Sequence, residues 1–324
     1  MADISEIGAL YAYDIRKTGP ARSLDAAALD TDLPEDVSYR WVHLDLDHPA
    51  TRGWIADHTD DFVAQALTWE DTRPRLNPHN GGFLLNLRGV NLNPNSDPED
   101  MVSVRLWVTE RLVISVRRRR LMAVVAMREA IEGDNPPATP GAFLTLLSSG
   151  LIERMDPVIR ALDEQVDGLE ETSLSEPHGI RAELADLRRT TVVLRRYIGP
   201  QREALAALAG RTDKQFSESE RLTLRETLDR ITRLLEDMDA IRERCGVLND
   251  QLTDLRAEEM NRTMLFLSVI SAIFLPLGFL TGLLGVNVGG IPGTDNAWAF
   301  TYFCGALIIL TLALVLWFRH KRWL

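Results

Sequence analysis

The sequence predicts an α+β membrane protein: an N-terminal cytosolic α/β domain, a long coiled-coil-like stalk helix and two C-terminal transmembrane helices. Three observations carry this. Short alternating or apolar runs fill the first 135 residues or so. A repeat of apolar residues at spacings of four and three starts near Glu218, with nothing to break a helix before the membrane. Two uncharged stretches, Thr263–Leu284 and Ala297–Phe318, are each long enough to cross a hydrocarbon core of about 30 Å.

In chain order, the runs Ala9–Ile15, Arg40–Leu46, Gly82–Val90, Val102–Thr109 and Leu112–Arg117 read as strands, the last two joined by a tight connection at Thr109-Glu110. Pro49–His58 and Asp60–Glu70 read as helices, and an Arg-rich turn leads into another from about Leu121. Asp134 to Pro140 is a linker by composition. This sets an α/β domain at 1–135, a helical stalk at 141–262 and a membrane part at 263–324. In the stalk, Leu151, Met155, Val158, Leu162, Val166 and Leu169 mark a first helix. A break at Glu176-Pro177-His178-Gly179 precedes a second helix that reaches about Ile198, the two forming an antiparallel hairpin. In the third helix Leu224, Leu228, Ile231, Leu235, Met238, Ile241, Cys245, Leu248, Leu252 and Leu255 form a seam. Continued to Leu284, it is roughly 100 Å long at about 1.5 Å per residue, and an oligomer is the simplest supply of neighbours for it.

Arg262 precedes the first span and Arg319-His320-Lys321-Arg322 follows the second. By the positive-inside rule both ends lie in the cytoplasm and the connecting loop outside, with Trp298, Trp317 and Trp323 suited to the interfaces. No signal peptide is expected, since Met1–Leu10 holds Asp3 and Glu6 and lacks a basic region followed by an apolar run.

Charge is divided unevenly. Residues 263–324 hold three basic residues and one acidic one, a balance of +2, so the remainder of a chain of net charge −11 carries −13. An acidic soluble part argues against nucleic acid as a partner and suits cations. Two cysteines, Cys245 and Cys304, exclude a disulfide framework and a Cys-rich zinc site. No Walker loop, nucleophile elbow or HExxH is present, so no enzyme is expected.

One face of the first span is small, polar or sulfur-bearing: Asn261, Met264, Ser268, Ser271, Leu275, Gly278 and Gly282. Leu265, Phe266, Val269, Ile273, Phe274 and Phe279 lie opposite. Tight helix packing through Gly278-xxx-Gly282 accounts for the same stripe as a pore lining does. Asn287, in Gly285-Val286-Asn287 at the end of this span, favours the pore. A ring of amides offers neutral oxygens to a hydrated cation without stripping its water. Met264 and Leu275 would form narrow apolar rings able to gate by dewetting. Asp295 in the outside loop would concentrate cations. Asp250, Asp254 and Glu258, four residues apart just inside the membrane, form either acidic rings or a solvated helix face. His43 sits on a predicted strand as a structural histidine; His48, His58, His79 and His178 are expected in solvent. Arg117-Arg118-Arg119-Arg120 is expected as a salt-bridged surface.

Asn261-Arg262-Thr263-Met264, Phe274-Leu275-Pro276-Leu277 and Gly285-Val286-Asn287 resemble the matching stretch of the CorA superfamily of divalent-cation transporters. Most members read Gly-Met-Asn there, and Val286 is similar to the zinc-transporting ZntB branch. Trp41-Val42-His43-Leu44-Asp45, Thr72-Arg73-Pro74-Arg75, Leu87-Arg88-Gly89-Val90-Asn91-Leu92-Asn93, Glu99-Asp100-Met101-Val102 and the tail Arg319-His320-Lys321-Arg322-Trp323-Leu324 also resemble that branch. The resemblance implies a funnel-shaped homopentamer in the bacterial inner membrane, its pore lined by the long helix. Asn287 would stand at the pore mouth, and Asn261 and Met264 further in. Gly278 stands where many Gly-Met-Asn members have a pore-lining Thr. Gly278 and Val286 together count against a magnesium-type filter. The implied activity is transport of zinc, with cadmium, nickel or cobalt as further cargo, by proton-coupled uptake in preference to efflux. A magnesium/cobalt channel and a membrane-anchored scaffold are the alternatives. Divalent ions, lipid and further copies of the chain are the implied partners, with no permanent cofactor.

Overall fold

The computed structural model describes residues 3–321 apart from 71, 134, 176–178, 212–215, 287, 292 and 294, and only the backbone at 174 and 175. The chain divides into two compact units, Met1–Leu248 and Asn249–Leu324.

The first unit is built on a seven-stranded sheet. Its strands are β1 (Ala9–Arg16), β2 (Arg22–Ser23), β3 (Val37–Asp45), β4 (Arg75–His79), β5 (Gly82–Gly89), β6 (Val102–Val108) and β7 (Leu112–Arg117), in the spatial order β2-β1-β3-β7-β6-β5-β4. Every pairing is antiparallel except β3 with β7. The five expected strands are all there. The two unexpected ones are the edges, whose residues are half-buried or exposed and so leave no apolar run to read. β4 even holds Pro78, which the edge of a sheet tolerates. The Asn80-Gly81 pair that turns β4 into β5, with φ of 36° and 77°, was its readable signal. At the β6–β7 connection, the Thr109 amide donates to the Leu112 carbonyl and the Leu112 amide to the Thr109 hydroxyl.

On one face of the sheet lie α1 (Ala26–Leu29), α2 (Thr51–His58) and α3 (Asp61–Thr68). Trp54, Ile55, Val63 and Leu67 pack there with Val42, Leu44, Leu84, Trp107, Ile114 and Val116. Fully burying one such side chain is worth about 1.5–3 kcal/mol. Asp25 and Asp60 cap α1 and α3 by accepting from the amides of Ala28 and Val63. The other face carries α4 (Met122–Glu132) and α5 (Pro140–Glu153), with Phe143 against Trp41 and Tyr39. The linker before α5 is pinned to the sheet, its Pro137 and Ala138 carbonyls accepting from Tyr39 and Ser38.

The single helix expected around Leu151–Leu169 is two, α5 and α6 (Asp156–Ser175), with Arg154 and Met155 between them. Pro157 is the cause, because it has no amide for the turn before it. The expected break at Glu176-Pro177-His178 lies outside the described residues. The next helix, α7 (Arg181–Ala209), does not stop near Ile198 but runs through Pro200. Its buried stripe continues on the far side in Gln201, Ala204, Leu205 and Leu208, and the Gln201 side chain accepts from the Arg88 amide. That burial offsets the roughly 3 kcal/mol a mid-helix proline costs.

α8 runs from Glu218 to Leu284 without interruption, with Pro276 inside it. Its buried seam is Leu224, Thr227, Ile231, Leu234, Met238, Ile241, Cys245, Leu248 and Leu252. Thr227 and Leu234 therefore take the places expected for Leu228 and Leu235, and Leu255 is exposed. Strict alternation of three and four keeps the stripe on one side. Arg244 ties the helix to α6 through Asp163, Asp167 and Glu170, and Asp239 to α7 through Arg195.

α9 (Ala299–His320) starts two residues later than expected, where the Asn296 side chain takes the Trp298 amide, and it carries Arg319 and His320 in its last turn. The membrane-type stretches of α8 and α9 are both long and apolar enough to cross a bilayer.

Candidate ion pathway

Within the second unit, the first span presents two unlike stripes. Val269 is buried at 1%, and Ile273, Pro276, Leu277 and Leu280 are half-buried. At 3.6 residues per turn, Asn261, Met264, Ser268, Ser271, Leu275, Gly278 and Gly282 lie on the opposite side of the cylinder, and all are exposed, Leu275 at 74%. α9 has its own covered stripe in Leu307, Leu310, Leu314 and Phe318. Of the residues expected opposite the polar stripe, only Val269 and Ile273 are covered. Leu265, Phe266, Phe274 and Phe279 are exposed, as lipid- or partner-facing residues of a span are.

The hydroxyls on the polar stripe have spent their protons. Ser268 Oγ donates to the Met264 carbonyl and Ser271 Oγ to the Leu267 carbonyl, each at 2.8 Å. What remains outward is oxygen lone pairs, which suit the water shell of a cation. Pro276 leaves the carbonyl four residues before it without its usual donor.

α8 ends at the tripeptide. The Gly285 amide donates to the carbonyls of Thr281 and Gly282, at 2.9 and 3.2 Å, and Val286 is exposed. Asn287 lies outside the described residues. The last carbonyls of a helix carry partial negative charge, so this end favours cations by itself. That contribution was missed in the sequence, although a helix ending at Gly285 implies it. Asp295 is exposed beside a turn in which the Asn296 amide reaches the Gly293 carbonyl. At the other end of the span Asp250, Asp254 and Glu258 are exposed and form no ion pair among the described residues, with Leu252 buried behind them. Arg319, His320 and Lys321 are exposed; Arg322 lies outside the described residues.

Among the described residues, no three His, Cys, Asp or Glu side chains gather as a metal-holding group. His43, His58 and His79 are otherwise engaged. His43 is fully buried against Ser115. Ser115 Oγ accepts from Trp41 Nε1 at 2.8 Å and shares a hydrogen bond with His43 Nδ1 at 2.8 Å, while His43 Nε2 has no hydrogen-bond partner among the described residues. Burial, with Arg117 close by, pushes this imidazole down to about 3. His58 and His79, expected in solvent, are only partly exposed. They pair with Asp30 and Asp60 at 3.0 and 2.8 Å, and His58 stacks on Trp54. Cys245 is buried in the α8 seam, where burial pushes its thiol up. In the arginine run, Arg118 pairs with Asp47 and Glu70 as a salt-bridged surface requires.

The sequence profile described as "CorA-like Mg2+ transporter protein" matches residues 36–321. The chain belongs to the CorA family. Within it, the chain is 35% identical over 324 residues, 99% of its length, to the zinc transport protein ZntB of Pectobacterium carotovorum subsp. carotovorum (strain PC1), covering 98% of that relative. It is 39% identical to the divalent cation transporter CmaX of Pseudomonas aeruginosa, over 98% of both chains. The solved structure of a full-length CmaX protein superposes with a TM-score of 0.82 at 36% identity, again over 98% of both chains. Full-length similarity to ZntB-named relatives places this CorA-family chain on the ZntB branch. The α/β domain, the long helix and the following apolar helix are the family's fold.

Proposed function

We propose that this chain moves divalent cations, zinc foremost and cadmium, nickel or cobalt besides, through a central pore of a homopentamer in the inner membrane. The reading is carried by one observation: the polar, small-residue stripe of the first span lies opposite the stripe that the chain covers for itself. A face of serine oxygens and glycines turned away from its own neighbour is what subunits around a shared aqueous path present. The zinc and divalent-cation transport of the relatives supports the cargo class. In this reading hydrated ions gather at Asp295, pass Gly285, Val286 and Asn287, then Gly278, Leu275, Ser271, Met264 and Asn261, and leave past Glu258, Asp254 and Asp250. The basic end Arg319, His320, Lys321 and Arg322 rings the inner side. Ions that keep their water need no cage of direct ligands. Coupling to protons, in the direction of uptake, is part of the proposal.

Metal uptake into proteoliposomes tests it, with a zinc-sensitive dye inside and Mg²⁺ as competitor, with and without an inward proton gradient. Zinc entry speeded by the gradient, and lowered at least about tenfold in Asn287→Ala, is the expected outcome. Vesicles silent to zinc that pass Mg²⁺ would favour the magnesium channel, which the family's description supports. Vesicles tight to both would sink the transport reading.

A further inference from the structure

The sheet face that carries Trp107 and Ile114 changes chemistry one row along. Arg75 on β4 stands opposite Asn86 on β5, and Asn86 opposite Arg105 on β6, so the three share a face in a single line. The next row sets Arg88 opposite Ser103. Arg118, just past β7, and Arg52 of α2 complete the group, and both lie within electrostatic reach of Arg105.

Arg105 is the anomaly. It is 2% exposed; Nη2 donates to the Trp69 carbonyl at 3.0 Å, while Nε and Nη1 have no partner among the described residues. A buried guanidinium with unused donors is strongly unfavourable unless an anion balances it. Among the described residues the nearby carboxylates are Asp47 and Glu70, which lie 3.5 and 3.9 Å from Arg118, out in solvent; Asp47 acts on Arg105 only at longer range. Arg88 is bonded to Thr72 and the Met101 carbonyl. Among the described residues no ion pair reaches Arg52, Arg75 or Arg105. Among the described residues arginines thus outnumber acids on this patch, and Arg105, with two donors unused, lies buried within it.

We propose that this row is a binding site for a phosphate-class oxyanion. Arg75 and Arg118 hold it at the open edge, and the buried Asn86 and Arg105 supply an amide and a positive field from beneath. Guanidinium forks match pairs of oxygens on a tetrahedral anion; a halide offers them one point. The Trp69 ring, 52% exposed and next to the carbonyl that anchors Arg105, is a stacking face for a nucleobase. Free phosphate and a nucleotide's phosphate are therefore the two sources to separate.

Calorimetric titration of the detergent-purified full chain with inorganic phosphate, with ADP and with chloride, at matched ionic strength, is the test. Phosphate or ADP binding that weakens about tenfold in Arg75→Gln and in Arg118→Gln is expected, each variant losing one charge-assisted contact. Both positions are partly exposed, so neither change endangers the fold. A further loss confined to ADP in Trp69→Ala marks the nucleotide as the source; equal behaviour of that variant toward both ligands marks free phosphate. Affinities unchanged in both arginine variants, or chloride binding as tightly as phosphate, would overturn the site.

Discussion

The two units treat their apolar residues in opposite ways. In Met1–Leu248 the large side chains are inside: Trp41, Tyr39, Phe83 and Phe143 are almost wholly buried. In Asn249–Leu324, Phe266, Phe274, Leu275, Phe279, Phe300 and Ile309 are all more than half exposed. The first unit satisfies water by itself. The second is complete only in a different solvent or beside further copies, because exposed apolar surface on this scale is not stable in water. Stability and transport should therefore respond to different residues.

The largest effect belongs to the first unit. Trp41→Ala removes a fully buried ring and the bond from its Nε1 to Ser115, and should cost about 3–5 kcal/mol in urea unfolding of the protein. Its counterpart in the second unit, Leu275→Ser, should leave that transition in place and, if the proposed pore holds, raise zinc flux in vesicles, since the apolar ring proposed to gate by dewetting would be lost. A shift in the unfolding midpoint with Leu275→Ser, or an unmoved one with Trp41→Ala, would break the comparison.

Next in size is a pH effect. His43 is held neutral in the fold, down to about 3, while the unfolded chain takes up a proton below about 6.5. Its stabilising contribution is thus complete above pH 6.5 and lost as pH falls, by about 1.4 kcal/mol per pH unit. Between pH 7 and 5 the wild type should lose roughly 2 kcal/mol more than His43→Phe. Parallel pH profiles for the two would show that His43 is hydrated and titrates freely.

The smallest effect has the opposite sign. Gly246 lies inside α8 with nothing near where a Cβ would point. Gly246→Ala should stabilise the helix by about 1 kcal/mol, read from the thermal midpoint. No gain would mean that the position is packed in the assembled protein.

Much of this architecture was legible because it rests on periodicity. Alternating or apolar runs marked the five central strands, and a mostly 3/4 alternation from Leu224 to Leu255, followed by an uncharged span, marked α8. Local competition defeated the pattern at identifiable places. Pro157 split α5 from α6, although the apolar spacing ran straight through it. Pro200 failed to stop α7, because buried residues on both sides held the helix together. The edge strands β2 and β4 left no alternation, and only Asn80-Gly81 announced β4. The stripe of small and polar types that the proposed pathway uses was legible, but the stripe alone favoured helix packing. Val269, buried on the opposite side, separates the two faces.

Composition and order of residues were sufficient for the α/β domain, the long helix, the two apolar spans and the tripeptide at the end of the first. Each follows from local rules: how far side chains repeat, where charge is excluded, how many residues cross a bilayer. Partnership followed from the tertiary fold alone. That His43 is a buried neutral imidazole, that Arg244 gathers three carboxylates of α6, and that Arg105, with donors unused, lies buried in a row with other arginines are facts of long-range pairing. Strands distant in sequence meet in a register set by the whole sheet, and no local pattern records which side chain a neighbour will leave without a partner.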